Sequence, residues 1–299
     1  MGTRTSLALL ATTALLAGAG AWAYAEQQGT TPATRPVAPV DIEVYPGLGS
    51  LELRVPREGW GHWCGLVLVA STAAITTAHC ITDPRGPITS WDLVRGRFDT
   101  ATRETGGVVT DVQEIRSHPS FAYETGGVDL AVVIFTDVVP ETPTTLLPPD
   151  PTAPADFLGW GGSRRGEPFS PTLERMPSSL LPGDACATGG IQTDEICAAT
   201  LAGPGHGGPC GGDSGSPVSQ RIPGTTTWGT VGILSRGTGD QCGDTPDIYT
   251  TAKDHRDWIF QRIKTTSAST SEPTASSSEK VGTRWDPIGP GPRATGNPN

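Results

Sequence analysis

The stretch of this chain best suited to covalent chemistry is Cys210-Gly211-Gly212-Asp213-Ser214-Gly215-Ser216-Pro217, a serine set between an acid and a glycine. Glycines at 211, 212 and 215 permit tight or left-handed backbone and let a substrate carbonyl approach closely. The Ser214 hydroxyl can then stand clear of the chain, and the amides of Gly212 and Ser214 can converge where a developing oxyanion would be held. A serine hydroxyl is a poor nucleophile at neutral pH and needs a neighbouring base. Thr77-Ala78-His79-Cys80 offers an imidazole able to take that proton and return it to a leaving group. Val128-Asp129-Leu130-Ala131-Val132-Val133 offers a carboxylate that opens an apolar strand, where an unpaired charge would be costly. An acid behind the imidazole would fix its tautomer and stabilise the imidazolium. Taken singly, each has a plainer reading: a glycine-rich turn, a packed histidine, a strand-edge cap.

Taken together, the three motifs in the order His79, Asp129, Ser214 resemble the chymotrypsin/trypsin family of serine proteases, from about Pro46 to Ile263. That order separates the family from subtilisins and α/β-hydrolases. The resemblance implies a serine endopeptidase that cleaves through an acyl-enzyme. His79, Asp129 and Ser214 would be catalytic, with Gly212 and Ser214 forming the oxyanion hole. Its partners would be polypeptide substrates and protein protease inhibitors, acting on a monomer without a cofactor.

The elements that must position these residues read as short strands. Leu51-Glu52-Leu53-Arg54-Val55 alternates with period two; Leu66 to Val69, Val108 to Val112 and Leu130 to Phe135 are apolar or β-branched runs. Turn-punctuated strands suggest an all-β sandwich or barrel, and the pattern goes no further. The resemblance implies two packed six-stranded antiparallel β-barrels with a short C-terminal helix, the active site lying between them. Barrels of about 41–147 and 155–252 are expected, joined through the proline-rich run Leu147 to Pro154. Leu158-Gly159-Trp160-Gly161-Gly162 matches the family's strand opening the second barrel. In Asp254 to Lys264, Trp258, Ile259, Arg262 and Ile263 recur at helical spacing. A helix over 254–264 is expected to pack on the second barrel.

Six cysteines in an exported chain suggest three disulfides, and six allow fifteen pairings. The resemblance selects Cys64–Cys80, Cys186–Cys197 and Cys210–Cys242. No CxxC or HxxxH spacing is present, so a metal site is not expected.

Specificity and activation depart from the family pattern. The resemblance places a specificity pocket at Gly208, Ser235, Arg236, Gly237 and Asp247. Trypsin's pocket-base acid is absent, since that position is Gly208, whereas Asp247 stands at a second pocket-base position two residues before Tyr249. Asp247 as counter-charge implies cleavage after Arg or Lys; the plainer reading is a solvated loop acid. Arg236, where the family usually has an aromatic, would either neutralise Asp247 or favour acidic residues upstream of the scissile bond. Family zymogens expose an apolar terminus that pairs with the acid preceding the serine, here Asp213. Nothing like Ile-Val-Gly-Gly occurs before Tyr45, and the new terminus is placed within Ala33 to Ile42, with Val37, Val40 and Ile42 as options. A protease-like binding protein that is catalytically silent is therefore the alternative.

Net charge of −10 gives no footprint for nucleic acid or an anionic membrane surface. With 39 Gly, 28 Pro and 35% hydrophobic residues, the chain suits strands and loops. Arg4, the apolar run Leu7 to Leu16 and Ala23-Tyr24-Ala25 read as a cleaved signal peptide over 1–25, implying a secreted protein. Residues 26–40 read as a pro-segment or linker and 41–265 as the protease domain. Residues 266–299, Ser/Thr/Pro/Gly-rich and carrying Trp285, read as a disordered tail. No membrane span is expected in the mature protein.

Overall fold

A computed structural model describes residues 40–269 apart from 56, 84–85, 89 and 124–125. The expected signal peptide, nearly all of the expected pro-segment, and the tail beyond 269 with Trp285 lie outside the described residues.

Strands β1 (Leu48–Val55), β2 (Gly59–Ala70) and β3 (Ala73–Thr76) lead to a small ribbon of β4 (Thr82–Asp83) and β5 (Gly86–Pro87). The chain continues through β6 (Val94–Phe98), β7 (Val108–Ser117) and β8 (Ala131–Phe135). In the order β1-β2-β3-β8-β7-β6 the six longer strands close an antiparallel barrel. The second barrel uses β9 (Ala155–Gly159), β10 (Glu174–Leu181), β11 (Glu195–Thr200), β12 (Pro217–Arg221), β13 (Trp228–Gly237) and β14 (Asp247–Thr251). Its order is β10-β11-β14-β13-β12-β9, again closed and antiparallel. The proline-rich connector between the barrels is fastened by buried Gln220, whose Nε2 donates to the carbonyls of Asp150 (2.7 Å) and Ala153 (3.0 Å).

The uninterrupted apolar run of β8 has a two-sided explanation. Ala131, Val133 and Phe135 point into the first barrel beside Leu51, Leu66, Leu68 and Phe98. Their alternates, Val132 and Ile134, join Leu130, Val67 and Ile75 on the outside of that barrel, where fully buried Ile259 covers them. Ile259 belongs to helix α1 (Arg256–Ser269), which corrects the expected docking. The helix covers the outer face of the first barrel, whose apolar stripe it shares with Ile233 of β13. Arg116 Nη1 donates to Thr265 Oγ1 at 2.6 Å and adds a polar tie. α1 begins later than Asp254 because residues 252–255 form a turn, in which Thr251 Oγ1 donates to Asp254 Oδ2 (2.7 Å). It also runs past Lys264.

One strand breaks its alternation. Glu52, expected to face water between Leu51 and Leu53, is fully buried next to a β-bulge. Arg95 Nε donates to its Oε2 (2.5 Å) and Arg97 Nε to its Oε1 (2.6 Å) from the neighbouring β6. A buried carboxylate needs such partners.

Candidate active site

His79 sits in a 3-10 turn, Ala78–Cys80, at the end of β3. The Cys64–Cys80 disulfide ties that turn to β2, and Trp63 Nε1 donates to the Cys80 carbonyl at 2.8 Å. The remaining cysteines pair as Cys186–Cys197 and Cys210–Cys242, the pairing that the resemblance implies. Asp129, just before β8, accepts His79 N–H on Oδ1 (2.9 Å) and His79 Nδ1–H on Oδ2 (2.7 Å). Ser235 Oγ donates to the same Oδ2 at 2.7 Å. With Nδ1 as donor, Nε2 is left as the basic nitrogen. The histidine side chain is 28% exposed and the aspartate 7%, so the pair presents its ring to solvent and hides its acid. Burial works against the Asp129 charge, but His79 and the Ser235 hydroxyl hold its pKa below the ordinary value. Burial likewise disfavours imidazolium, yet the Asp129 charge and hydrogen bond raise the His79 pKa above 6.5.

Ser214 lies on the loop before β12. Its carbonyl accepts Gly65 N–H at 2.7 Å and lies 3.9 Å from Cys80 Sγ, which brings it alongside the residue that follows His79. Ser214 Oγ and His79 Nε2 are not hydrogen-bonded to each other. Such a bond is often long or unmade before substrate binds. The amides of Asp213, Gly215 and Ser216 donate to Cys210, Leu234 and Asp213 respectively, whereas those of Gly212 and Ser214 donate to nothing among the described residues. Two free donors flanking Asp213 are what an oxyanion hole requires. Gly212 has φ +89°, a left-handed conformation that favours glycine.

Asp213 is completely buried and accepts Gly161 N–H (2.7 Å) and Cys210 N–H (3.0 Å). Its carboxylate explains the Gly-Trp-Gly sequence that begins at the end of β9, because a Cβ at Gly159 or Gly161 would run into it. Of the proposed new termini, Val40 and Ile42 pack near Tyr45 and Trp228, and Val37 lies outside the described residues.

The pocket residues divide. A Cβ at Gly208 would stand 2.5 Å from Gly243 Cα, so no acid side chain fits there without moving that loop. Asp247 is 4% exposed, which removes the solvated-loop reading. It pairs in register with Gly237, and a Cβ on Gly237 would be 3.2 Å from Asp247 Oδ1. Arg236 does not neutralise Asp247: its guanidinium grips Glu195 at 2.6 and 2.8 Å and donates to the carbonyls of Gly189 and Gly190. Fork-to-fork pairing with a carboxylate on β11 fixes that geometry.

Sequence reasoning passed over His62. It is buried, with Nδ1 2.6 Å from Ser50 Oγ and Nε2 2.9 Å from the Gly212 carbonyl. The Nε2–H donates to that carbonyl and so holds the Gly212–Asp213 peptide, which lies between the two peptides that carry the unengaged amides. Phe169 closes the other side, its ring 5.7 Å from that of His62 and in contact with Gly212. The available signal was the placement of His62 two residues before a cysteine tied to the His79 turn. His206 is exposed on a turn and contributes nothing comparable.

The family model for Trypsin matches residues 43–259, spanning both barrels and all of the residues above from His62 to Asp247. The chain belongs to the trypsin family. A curated relative of this trypsin-family chain, Transmembrane protease serine 11G of Mus musculus, is 30% identical over 238 residues. The match covers 74% of this chain and 53% of the relative, so the chain spans about half the length of that protein. Among the described residues no helix is long and apolar enough to cross a membrane.

Proposed function

We propose that this trypsin-family chain is a secreted serine endopeptidase. Ser214 attacks the scissile carbonyl, His79 Nε2 takes its proton and later protonates the leaving amine, and Asp129 stabilises the imidazolium between the two steps. The amides of Gly212 and Ser214 receive the negative charge of the tetrahedral intermediate. The observation that carries this reading is the His79–Asp129 pair at 2.7 Å, set beside a serine loop with two unengaged amides. Asp247, buried against Gly237, supports a preference for Arg or Lys before the scissile bond. Asp213 is the acid to which a newly cut terminus would bind, so the full-length chain is a zymogen in this reading. Export rests on the signal-like sequence at 1–25.

A fluorophosphonate probe tests the chemistry directly. The full chain and N-terminally trimmed forms are incubated with it and the adduct is located by mass spectrometry. Stoichiometric labelling at Ser214 in a trimmed form is expected, abolished by Ser214→Ala. Absence of labelling in every form would sink the enzyme in favour of a protease-like binding protein.

A further inference from the structure

Asp247 opens β14 between two neighbours, paired with Gly237 of β13 and Ala198 of β11. Its carboxyl lies under exposed Gly237, two residues along β13 from Ser235, the residue that holds Asp129. That separation is about 7 Å of strand. The acid is therefore close to the reacting groups and reached from the cleft over a residue without a side chain.

The surroundings of this carboxyl are unusual for a buried acid. No donor among the described residues hydrogen-bonds it. From β13 the nearby cation is Arg236, bound instead by Glu195 of β11. The loop before β12 contributes Asp213, a second carboxylate. On β14 itself, Tyr249 is a neutral phenol whose ionisation is pushed far up by burial and by both acids. The 3-10 turn Gly183–Gly189 brings exposed Asp184 and disulfide-bonded Cys186, the latter against the Asp247 carbonyl rather than its side chain. The loop 238–246 adds exposed Asp240 and Asp244, and Asp244 accepts Gly205 N–H at 2.8 Å. With Arg236 held by Glu195 and the Asp213 carboxylate nearby, Asp247 has no ion-pair partner among the described residues. A carboxyl in such a place keeps its proton until a cation arrives.

We propose that Asp247 is a protonation-gated specificity residue: as the neutral acid it admits uncharged side chains, and as the carboxylate it selects cationic ones. The pocket would thus change its preference across the neutral range. This rests on the reading above, in which Asp247 sets the preference for Arg or Lys before the scissile bond. Burial first and the Asp213 charge second push the Asp247 pKa up to about 8, in keeping with the geometry. The sign follows: below that value the free protein holds COOH, and above it COO⁻.

Two measurements on the full chain and its trimmed form test the gate. The first compares kcat/KM for matched peptides carrying Arg or citrulline before the scissile bond, which have the same shape and differ in charge. Titration of His79 affects both substrates alike and cancels in the ratio. The Arg-to-citrulline ratio should rise close to tenfold per pH unit from about pH 6 and level off above about pH 8. In Asp247→Asn it should be low and flat. A flat wild-type ratio that collapses in Asp247→Asn would overturn the gate while leaving the pocket assignment intact. An Arg preference unchanged in Asp247→Asn would overturn both.

The second measurement needs no turnover. Benzamidine is titrated into the protein near neutral pH, by calorimetry in two buffers of different ionisation enthalpy. Binding should release close to one proton and tighten as pH rises, and Asp247→Asn should show neither effect. Benzamidine binding through Asp247 with no proton release would overturn the gate even in a catalytically silent protein, as would a complete failure to bind at alkaline pH.

Discussion

At the scale of single residues, Asp129 shows how a charge is kept where burial opposes it. Two donors from His79 and one from Ser235 converge on its two oxygens, so protonation would weaken all three interactions. The same pairing makes His79 a stronger base than a free imidazole. Proton abstraction needs the neutral ring, so kcat/KM should fall on acidification with a midpoint above 6.5, the ordinary histidine value. Asp129→Asn should move that limb downward and lower kcat by about three to four orders of magnitude, read from the pH–rate profile. His79, Asp129 and Ser214 were legible because each lies in a contiguous motif whose residue types carry the chemistry. His62 was not, since its partners Ser50 and Gly212 are brought to it only by closure of one barrel and its packing on the other. Asp247 was half legible: its place before Tyr249 marked it as a pocket acid, but its burial beside Asp213 depends on strand register.

Elements were legible where local pattern and tertiary role agree. Apolar β-branched runs gave strands, and both barrels followed from the family resemblance rather than from the runs themselves. The docking surface of the C-terminal helix was misjudged for a physical reason. Helical spacing in 254–264 identifies an apolar stripe but contains nothing about which surface receives it. Val132 and Ile134 supply that surface, and Ile259 fills it. Ile259→Ala should cost about 2–5 kcal/mol, measured by chemical denaturation, because the rigid barrel wall cannot collapse into the space. Fluorophosphonate reactivity of the folded fraction should be little changed, since Ile259 touches none of the reacting groups. Glu52 went the same way: its partners Arg95 and Arg97 lie on β6, and period-two reasoning along β1 alone sends it to solvent.

For the whole molecule, the buried His62 sets a limit on acid tolerance. Burial dominates its shift and lowers its pKa to about 4. The unfolded chain takes up this proton near 6.5, while the native protein resists until about 4. Stability from this group is therefore complete above 6.5 and is lost as pH falls through that window. Denaturation midpoints from neutral to about pH 4 should decline in the wild type, by an amount on the order of a few kcal/mol attributable to His62. In His62→Gln the midpoint should start lower and decline less steeply. A wild-type midpoint that stayed level through this range would contradict the burial of His62 as a neutral ring.

The bonds from Ser235 to Asp129 and from Gly65 to Ser214 both cross from one barrel to the other. In the proposed reading, reactivity is thus a property of the seam, and neither lobe owns it. Grafting a relative's lobe onto this chain would have to import a matching hydroxyl or amide at the junction. Otherwise, two well-folded halves would meet without assembling anything able to react.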